Sequence, residues 1–409
     1  MSLKNVSIST IFNATVIVSA LGYFVDIYDL ILFGIVRVAS LKELGVLDSD
    51  LLSTGVMLLN MQMIGMLVGG VLWGVLGDKK GRIAVLFGSI FMYSVATFLN
   101  AFVTDTTQYA VLRFIAGVGL AGELGAAITL VSEVMSKELR GYGTAIVAGV
   151  GVTGAIFAAV IGEMFSWKVA YMIGGGLGML LLLMRIKMFE SGMFEHIKRN
   201  ETVKKGDFFS LFTSWARFKR FANCVLIGLP IWFVVGVLIT FSPEFGKALG
   251  YTEPIVAGRA IMFTYTGLIF GDLISGFLSQ YFRTRKKIIG SFILATALVV
   301  IVFLFLPVDS SIYFYGLCIA LGVAIGYWAV FVTIASEQFG TNIRATVTTT
   351  VPNIVRGAVV PITLAFEYLR HYIDKVPAAL IVGGVVFAIA WYALHNLSET
   401  FGKDLNYVE

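Results

Sequence analysis

Long apolar runs, separated by short polar connections, dominate the chain. An α-helix needs about 20 apolar residues to cross the hydrocarbon core of a bilayer, and the sequence contains twelve runs of that kind. We place these spans at 11–39, 51–77, 83–103, 108–135, 142–165, 168–189, 219–247, 254–281, 287–307, 311–336, 345–368 and 376–395. The pattern predicts an all-α membrane protein with twelve transmembrane helices.

Composition supports this class and narrows the chemistry. Hydrophobic residues make up 58% of the 409 residues and charged residues only 13%, as in polytopic membrane proteins. The chain begins with a short polar stretch followed by a full-length span, so we expect no cleavable signal peptide. Cys224 and Cys318 lie in apolar runs and the histidines do not cluster, which argues against disulfides and a metal site. No nucleophile with a base and no phosphate loop appears, so we expect neither an enzyme nor a cofactor.

Basic residues are concentrated on one side of the predicted membrane. One predicted side, which includes the connections after the even-numbered spans, carries most of the lysines and arginines, whereas the opposite side carries few, among them Arg37 and Arg259. The positive-inside rule then places both termini in the cytoplasm, in a plasma (inner) membrane. Topology also explains the net charge of +5, so we expect the lipid bilayer as partner and no nucleic acid.

The longest polar connection divides the spans six and six. We predict an N-terminal six-helix bundle over 1–189, a cytoplasmic linker over 190–218 that contains an interfacial helix, and a C-terminal six-helix bundle over 219–409.

Internal repetition supports the two halves. Glu133 is followed seven residues later by Arg140, and Glu337 is followed at the same spacing by Arg344, each pair at the end of the fourth span of its half. Parallel six-span repeats place the substrate near the bilayer midplane between the halves.

Charged residues interrupt the predicted spans at few positions. Asp26 and Asp29 lie three residues apart in the first span, and therefore on one helix face. A charge at the bilayer centre costs about 2.5–3.5 kcal/mol, so such residues face a water-filled path or a partner. Arg113 and Arg356 lie well inside the fourth and eleventh spans, and each requires a carboxylate partner or an anionic ligand.

The sequence GVLGDKKGR, which begins at Gly74, resembles the signature G-x-L-x-D-(R/K)-x-G-R-(R/K) of major facilitator superfamily transporters. It lies between the second and third spans, as in that family, and departs only at the last position, where Ile replaces a basic residue. The resemblance implies two six-helix bundles that alternate access, and a gating role for Gly74, Asp78, Gly81 and Arg82. Gly81 permits a tight turn, and Asp78 with Arg82 forms a breakable charge latch.

Two further motifs resemble the sugar-porter and organic-ion branches of that family. RFIAGVGLAGE, from Arg113, resembles their fourth span, with glycines spaced for close helix packing. SEVMSKELRG, which contains Glu133, resembles E-x-x-P-x-x-x-R-G with Ser in place of Pro. The resemblance implies gating contacts for Glu133 with Arg140 and for Glu337 with Arg344, and purely structural salt bridges are the alternative.

The first span resembles two patterns of proton-coupled carriers. The dipeptide ending at Asp29 partly matches G-Y-D of sugar porters, in which the Asp pairs with the fourth-span Arg. Asp26 and Asp29 match D-G-x-D of aromatic-acid transporters, with Ile in place of Gly. A carboxylate beside Arg113 stays ionised, whereas in a dry apolar site it takes up a proton. We predict that Asp29 switches between these states, and a static ion pair is the alternative. Asp26 is either a second proton site or a carboxylate whose repulsion favours protonation of Asp29, and Glu123 is a further candidate.

Arg356, followed by Gly, matches an arrangement that organic-anion carriers of the family show in the eleventh span. A guanidinium that faces the cavity would bind a carboxylate bidentately, and a packing or gating arginine is the alternative. Asn353, one turn earlier, supports either role. Other polar and aromatic residues inside the spans are candidates for substrate binding, with packing as the alternative for the aromatic ones. These are Gln62, Trp232, Tyr265, Tyr327 and Trp328.

The predicted function is proton-coupled uptake of a small organic acid, by alternating access in a monomer, with the proton gradient as energy source. A sugar or polyol symporter and a proton-driven exporter are the alternatives within transport. A membrane sensor that no longer transports is the alternative of another class.

Overall fold

The structure is a computed structural model, and it describes residues 14–80, 82–123, 140–190, 211–306 and 308–402. All regular secondary structure in these residues is helical. The N-terminal half comprises α1 Ala14–Glu43, α2 Leu51–Lys80, α3 Arg82–Asn100, α4 Thr106–Leu120, α5 Arg140–Met164 and α6 Trp167–Glu190. The C-terminal half comprises α7 Trp215–Leu226, α8 Leu229–Phe233, a π-helical segment Val234–Ile239, α9 Ser242–Ala248, α10 Ala257–Tyr281, α11 Lys286–Phe305, α12 Ser311–Ile325, α13 Trp328–Glu337, α14 Thr341–Gly357, α15 Val359–Arg370 and α16 Lys375–Asn396.

Nine helical segments of the described residues are long and apolar enough to cross a membrane, or ten when the bent pair around residues 227–228 is taken as one span. The third and fourth predicted spans coincide with the shorter helices α3 and α4, and residues 124–139 lie outside the described part. The all-helical membrane architecture is confirmed, and the count of twelve spans stays a prediction. Most of the predicted linker also lies outside the described residues, and α7 begins within its last part.

Close helix crossings repeat in the two halves. In the N-terminal half, a Cβ on Gly117 of α4 would lie 2.0 Å from the carbonyl oxygen of Gln62 on α2. In the C-terminal half, a Cβ on Gly322 of α12 would lie 2.0 Å from the carbonyl oxygen of Thr264 on α10. Only glycine allows backbones to approach so closely. The same kind of glycine-dependent helix crossing therefore occurs in both halves.

Two spans of the C-terminal half are broken, and a hydrogen bond connects the two breaks. The seventh span bends by 40° between α7 and α8, where Pro230 removes a backbone donor. The tenth span breaks between α12 and α13 at Gly326 and Tyr327. The Tyr327 hydroxyl donates to the carbonyl oxygen of Ile227 at 3.0 Å, and so provides a partner for a carbonyl at the first break.

The first helix lies at the centre of the molecule. In its most apolar stretch, 83% of the residues are buried inside the protein, a larger share than for any other candidate span of the described residues. Since α1 is surrounded by other helices, its carboxylates face protein groups and not lipid.

Candidate substrate and proton site

A buried ion pair joins the two halves at the middle of α1. Nη1 of Arg356, near the end of α14, lies 3.7 Å from Oδ2 of Asp26. The side chains are 1% and 0% exposed. This distance is too long for a hydrogen bond, and neither Asp26 oxygen has a hydrogen-bond partner among the described residues. The pair is therefore a charge contact without directional bonds, and the sequence analysis did not predict it.

Several of the predicted substrate residues gather around the same guanidinium. The ring centroid of Trp328 lies 6.0 Å from Cζ of Arg356, and Tyr23 and Tyr265 are buried. Asn353 lies one turn before Arg356 and donates to the carbonyl oxygen of Ala121 at 3.0 Å. Arg356 thus lies beside the Trp328 ring, where α14 meets the N-terminal half.

A second buried arginine, Arg113, is the predicted partner of Asp29, the other carboxylate of α1. Arg113 donates to Oε1 of Gln62, and its Cζ lies 4.9 Å from the ring centroid of Phe33. The charge of Arg113 and the Thr97 hydroxyl act on Asp29. No hydrogen-bond partner of either Asp29 oxygen is found in the described part of the chain. The predicted pair of Asp29 and Arg113 therefore stays a prediction. Gln62 accepts from Arg113 through Oε1, and its amide nitrogen has no hydrogen-bond partner in the described part of the chain.

Glu123 forms a buried salt bridge with Arg185. Nη1 of Arg185 on α6 donates to its Oε2 at 3.1 Å, and Nη2 donates to Oε1. Gly22 makes room for this pair, because a Cβ there would lie 2.2 Å from Oε1 of Glu123. Arg185 lies near the end of the predicted span 168–189, and the structure buries it against Glu123. A proton-coupling role for Glu123 would require this pair to open, and the role stays a prediction.

A small apolar cleft lies between the halves, about one helical turn from Asp26 along α1. Its lining includes Leu30, Ile31, Leu59, Met63, Trp232 and Ile261. The Trp232 indole nitrogen is buried, and no acceptor for it occurs in residues 14–80, 82–123, 140–190, 211–306 and 308–402. Of the predicted aromatic ligands, Trp232 lines the cleft and Trp328 faces Arg356, whereas the Tyr327 hydroxyl is used at the helix break.

One end of the interface between the halves is held closed by a buried arginine. Nη2 of Arg37 lies 2.7 Å from Oε2 of Glu244, and Nη1 donates to the carbonyl oxygen of Leu51 at 3.2 Å. The Arg37 guanidinium also lies over the ring of Phe241, 4.8 Å from its centroid. Gly55 leaves space for the Arg37 side chain, because a Cβ on Gly55 would lie 2.7 Å from Cδ of Arg37.

Two further contacts join the halves. Arg259 on α10 pairs with Glu163 on α5, and Thr363 on α15 donates to Oδ1 of Asn60 on α2 at 2.6 Å. The topology prediction assigned Arg37 to the outer side of the membrane. In the structure Arg37 is buried at the end of the interface where it pairs with Glu244.

The sequence model of the Major Facilitator Superfamily matches residues 6–360. The chain belongs to this superfamily. A gentisate transporter of Corynebacterium glutamicum is 26% identical over 414 residues, which cover 95% of this chain and 88% of that protein. A niacin transporter of Acinetobacter baylyi is 27% identical over 319 residues, which cover 69% and 71%. The superfamily and these relatives are transporters, which confirms the expectation of a membrane transporter and not an enzyme.

Among solved structures, a D-xylose-proton symporter matches with a TM-score of 0.71 and 16% identity, and covers 95% of this chain and 99% of that one. At this identity the likeness shows the fold, and it agrees with the superfamily.

Most of the superfamily signature lies outside the part of the chain whose side chains the structure describes. This holds for Gly74, Asp78, Gly81, Arg82, Glu133, Arg140 and Arg344, whose gating roles stay predictions. Glu337 is described, and it pairs with Arg285 at 3.5 Å within the C-terminal half. Thr400 also donates to Glu337 at 2.7 Å. These contacts agree with the structural alternative for Glu337.

Glu399, which follows α16, fastens the end of the described chain to the start of α11. It accepts hydrogen bonds from the Thr284 hydroxyl and from the backbone N–H of Arg285 at 2.9 Å. Burial raises the pKa of Glu399, but these bonds and those from Phe401 and Thr400 outweigh it and lower the pKa from 4.5 to about 2. The carboxylate is therefore held in its charged form.

Proposed function

We propose that the chain takes up small organic acids, with an aromatic ring and a carboxylate, together with protons. The observation that carries this proposal is the Arg356 guanidinium, buried between the halves and paired with Asp26 at 3.7 Å. An anionic ligand can replace Asp26 as its partner, because a guanidinium binds carboxylates in a planar fork. Gentisate and niacin, which the relatives are named for, both carry a carboxylate on a ring.

Competition for Arg356 couples the substrate to the proton. When Asp26 is ionised it occupies Arg356, and a second carboxylate in the same place would meet a like charge. A proton bound to a carboxylate oxygen of Asp26 removes that charge and frees Arg356 for the substrate. When Asp26 later releases the proton on the other side, it regains Arg356 and displaces the substrate. Proton and acid therefore cross in the same direction.

The surroundings of Arg356 fit a flat ring. Trp328 already presents its face to the guanidinium, and a ring held next to the carboxylate would lie among Trp328, Tyr23 and Tyr265. The small apolar cleft that Trp232 lines lies about one helical turn from Asp26, and apolar lining with few polar groups is usual for ligand sites.

Asp29 and Arg113 form the second charged position of the pathway. Arg113 cannot lose its proton, so Asp29 changes its protonation only when it moves away from Arg113. We assign Asp29 the role of a proton relay beside Asp26.

We orient the carrier with both termini in the cytoplasm of a plasma membrane, as a monomer. The end closed by Arg37 and Glu244 is then the outer one.

A thermal-shift screen of the purified protein tests the proposal. Gentisate, niacin and benzoate are compared with xylose, because a ligand at 100 times its Kd stabilises the native state by about 2.7 kcal/mol. We expect stabilisation by the ring acids in the wild type and none in Arg356→Ala. Arg370→Ala is the matched control, since Arg370 pairs with Glu367 within its own helix, and it should respond like the wild type. Equal stabilisation of Arg356→Ala would refute the anion site.

A sugar or polyol symporter is the second candidate. The feature that favours it is the presence of Asp29 and Arg113, both buried in the N-terminal half, which resemble the Asp and Arg that pair in proton-coupled sugar porters. Stabilisation by xylose and none by the acids would select this candidate.

A further inference from the structure

A further carboxylate inside the predicted spans, Asp272, lies at the break of the tenth span. Asp272, on α10, accepts the backbone N–H of Ala329 through Oδ1 at 3.1 Å, and the N–H of Trp328 also acts on it. Among the described residues, no salt bridge involves Asp272. Its recorded partners are therefore backbone donors at the start of α13, and the transport mechanism given above does not use it.

The break creates the need for this carboxylate. The first N–H groups of a helix have no partner within the helix, and away from water each unpaired group is costly. The N-cap residue of α13, Tyr327, makes no side-chain hydrogen bond to the first turn. Asp272 provides the acceptor from a neighbouring helix, and its negative charge is favourable at the positive end of the helix dipole.

A close contact between glycines brings Asp272 to the break. A Cβ on Gly326 would lie 2.4 Å from Cα of Gly271 and 2.7 Å from the backbone nitrogen of Asp272. The two backbones therefore touch at the residue before Asp272, and side chains at either glycine would push α10 and α13 apart.

The first turn of α13, which Asp272 caps, contributes Trp328 to the surroundings of Arg356. Trp328 is the first residue of α13, and its ring faces the Arg356 guanidinium at 6.0 Å. The preceding residue, Tyr327, is fixed to the carbonyl oxygen of Ile227. The first turn of α13 is thus held on one side by α7 and on the other by Asp272.

We propose that Asp272 is a positioning residue: its carboxylate holds the first turn of α13 so that Trp328 stays against Arg356, and this sets the affinity for ring acids. The part that concerns affinity rests on the proposed function. The part that concerns the helix does not.

The test compares Asp272→Ala and Asp272→Asn with a matched pair of controls, Asp105→Ala and Asp105→Asn. Asp105 is also a carboxylate that caps a helix, since it accepts the N–H groups of Thr107 at 2.8 Å and Gln108 at 2.9 Å, but it belongs to α4. Two quantities are measured: the hydrogen exchange of the amides of Trp328 and Ala329 without ligand, and the Kd for gentisate.

We expect Asp272→Ala to speed exchange at Trp328 and Ala329 and to raise the Kd for gentisate about tenfold, by the loss of a cation–π wall. Asp272→Asn keeps an amide oxygen that can accept a hydrogen bond. Its hydrogen exchange at Trp328 and Ala329 and its Kd for gentisate should therefore lie close to those of the wild type. In a Trp328→Ala background, Asp272→Ala should have little further effect on Kd. The Asp105 variants should leave both quantities unchanged.

Unchanged exchange at Ala329 in Asp272→Ala would overturn the proposal. So would a wild-type Kd in Asp272→Ala, because a merely structural cap lowers stability without changing affinity. If the wild type itself does not bind gentisate, niacin or benzoate, the proposed function fails, and the exchange measurement alone decides whether Asp272 holds α13.

Discussion

Replacement of Asp26 by Asn removes the competitor for Arg356 and keeps the shape of the side chain. Two unit charges 3.7 Å apart attract each other by about 4.5 kcal/mol at an effective dielectric constant of about 20. The loss of hydration of both buried groups offsets much of this attraction. If about 1.4 kcal/mol remains, an acid that no longer has to displace Asp26 binds about tenfold more tightly.

The same substitution removes the group that carries the proton. We therefore expect Asp26→Asn to bind gentisate about tenfold more tightly at neutral pH, and to exchange gentisate for gentisate across a proteoliposome membrane. It should no longer accumulate gentisate against its gradient. Binding is measured by isothermal titration calorimetry, and exchange by counterflow of labelled substrate. Glu367→Gln breaks an ion pair within one helix and should behave like the wild type.

The reasoning is refuted if Asp26→Asn accumulates gentisate with a normal dependence on the pH gradient. An unchanged affinity would refute the competition between Asp26 and the substrate, even if accumulation is lost.

Three further predictions concern other charged groups. Asp29→Asn should retain gentisate binding within about threefold but shift the pH dependence of uptake, which uptake measured between pH 5 and 8 checks; an unchanged profile would mean that Asp29 only braces Arg113. Glu244→Gln leaves Arg37 buried without its carboxylate, which costs about 3–5 kcal/mol in the closed state; a cysteine at the outer end should then react faster with an impermeant thiol reagent, and an unchanged rate would contradict the gate. Glu399→Gln should lower Tm at pH 7, because it removes a negative charge at the N-terminus of α11, which is worth about 0.3–1 kcal/mol. Since the pKa of Glu399 is lowered from 4.5 to about 2 in the folded protein, this stability is present above pH 4.5 and lost as the pH falls towards 2, so the two Tm values should converge there; a constant difference would contradict the assignment.

The membrane-spanning helices were largely predictable from the apolar runs. The predicted span 254–281 corresponds to Ala257–Tyr281, and 376–395 corresponds to Lys375–Asn396. The breaks were not predicted, because a run of apolar residues continues across the tenth span, where the chain turns at Gly326. Hydropathy measures the preference for lipid, and a broken span is as apolar as a straight one.

The sequence singled out Asp26 and Arg356 as intramembrane charges but did not indicate that they pair. The spacing of Asp26 and Asp29 indicated one buried face, and both carboxylates are fully buried. Which arginine each one meets depends on how α1 packs against α4 and α14, and no local pattern in the sequence encodes that packing.

Arg37 and Arg185 show a related limit. Both lie near the ends of predicted spans, Arg37 in 11–39 and Arg185 in 168–189, and each is buried with a carboxylate, Glu244 or Glu123. The indication available in the sequence was the presence of these carboxylates within or beside predicted spans.

Accumulation of labelled gentisate in proteoliposomes under an imposed pH gradient tests the central claim most directly. With an alkaline interior, we predict that the wild type concentrates gentisate above the external level, that a protonophore abolishes this accumulation, and that Arg356→Ala shows none. Equilibration without accumulation, or accumulation that persists with the protonophore, would contradict proton-coupled uptake.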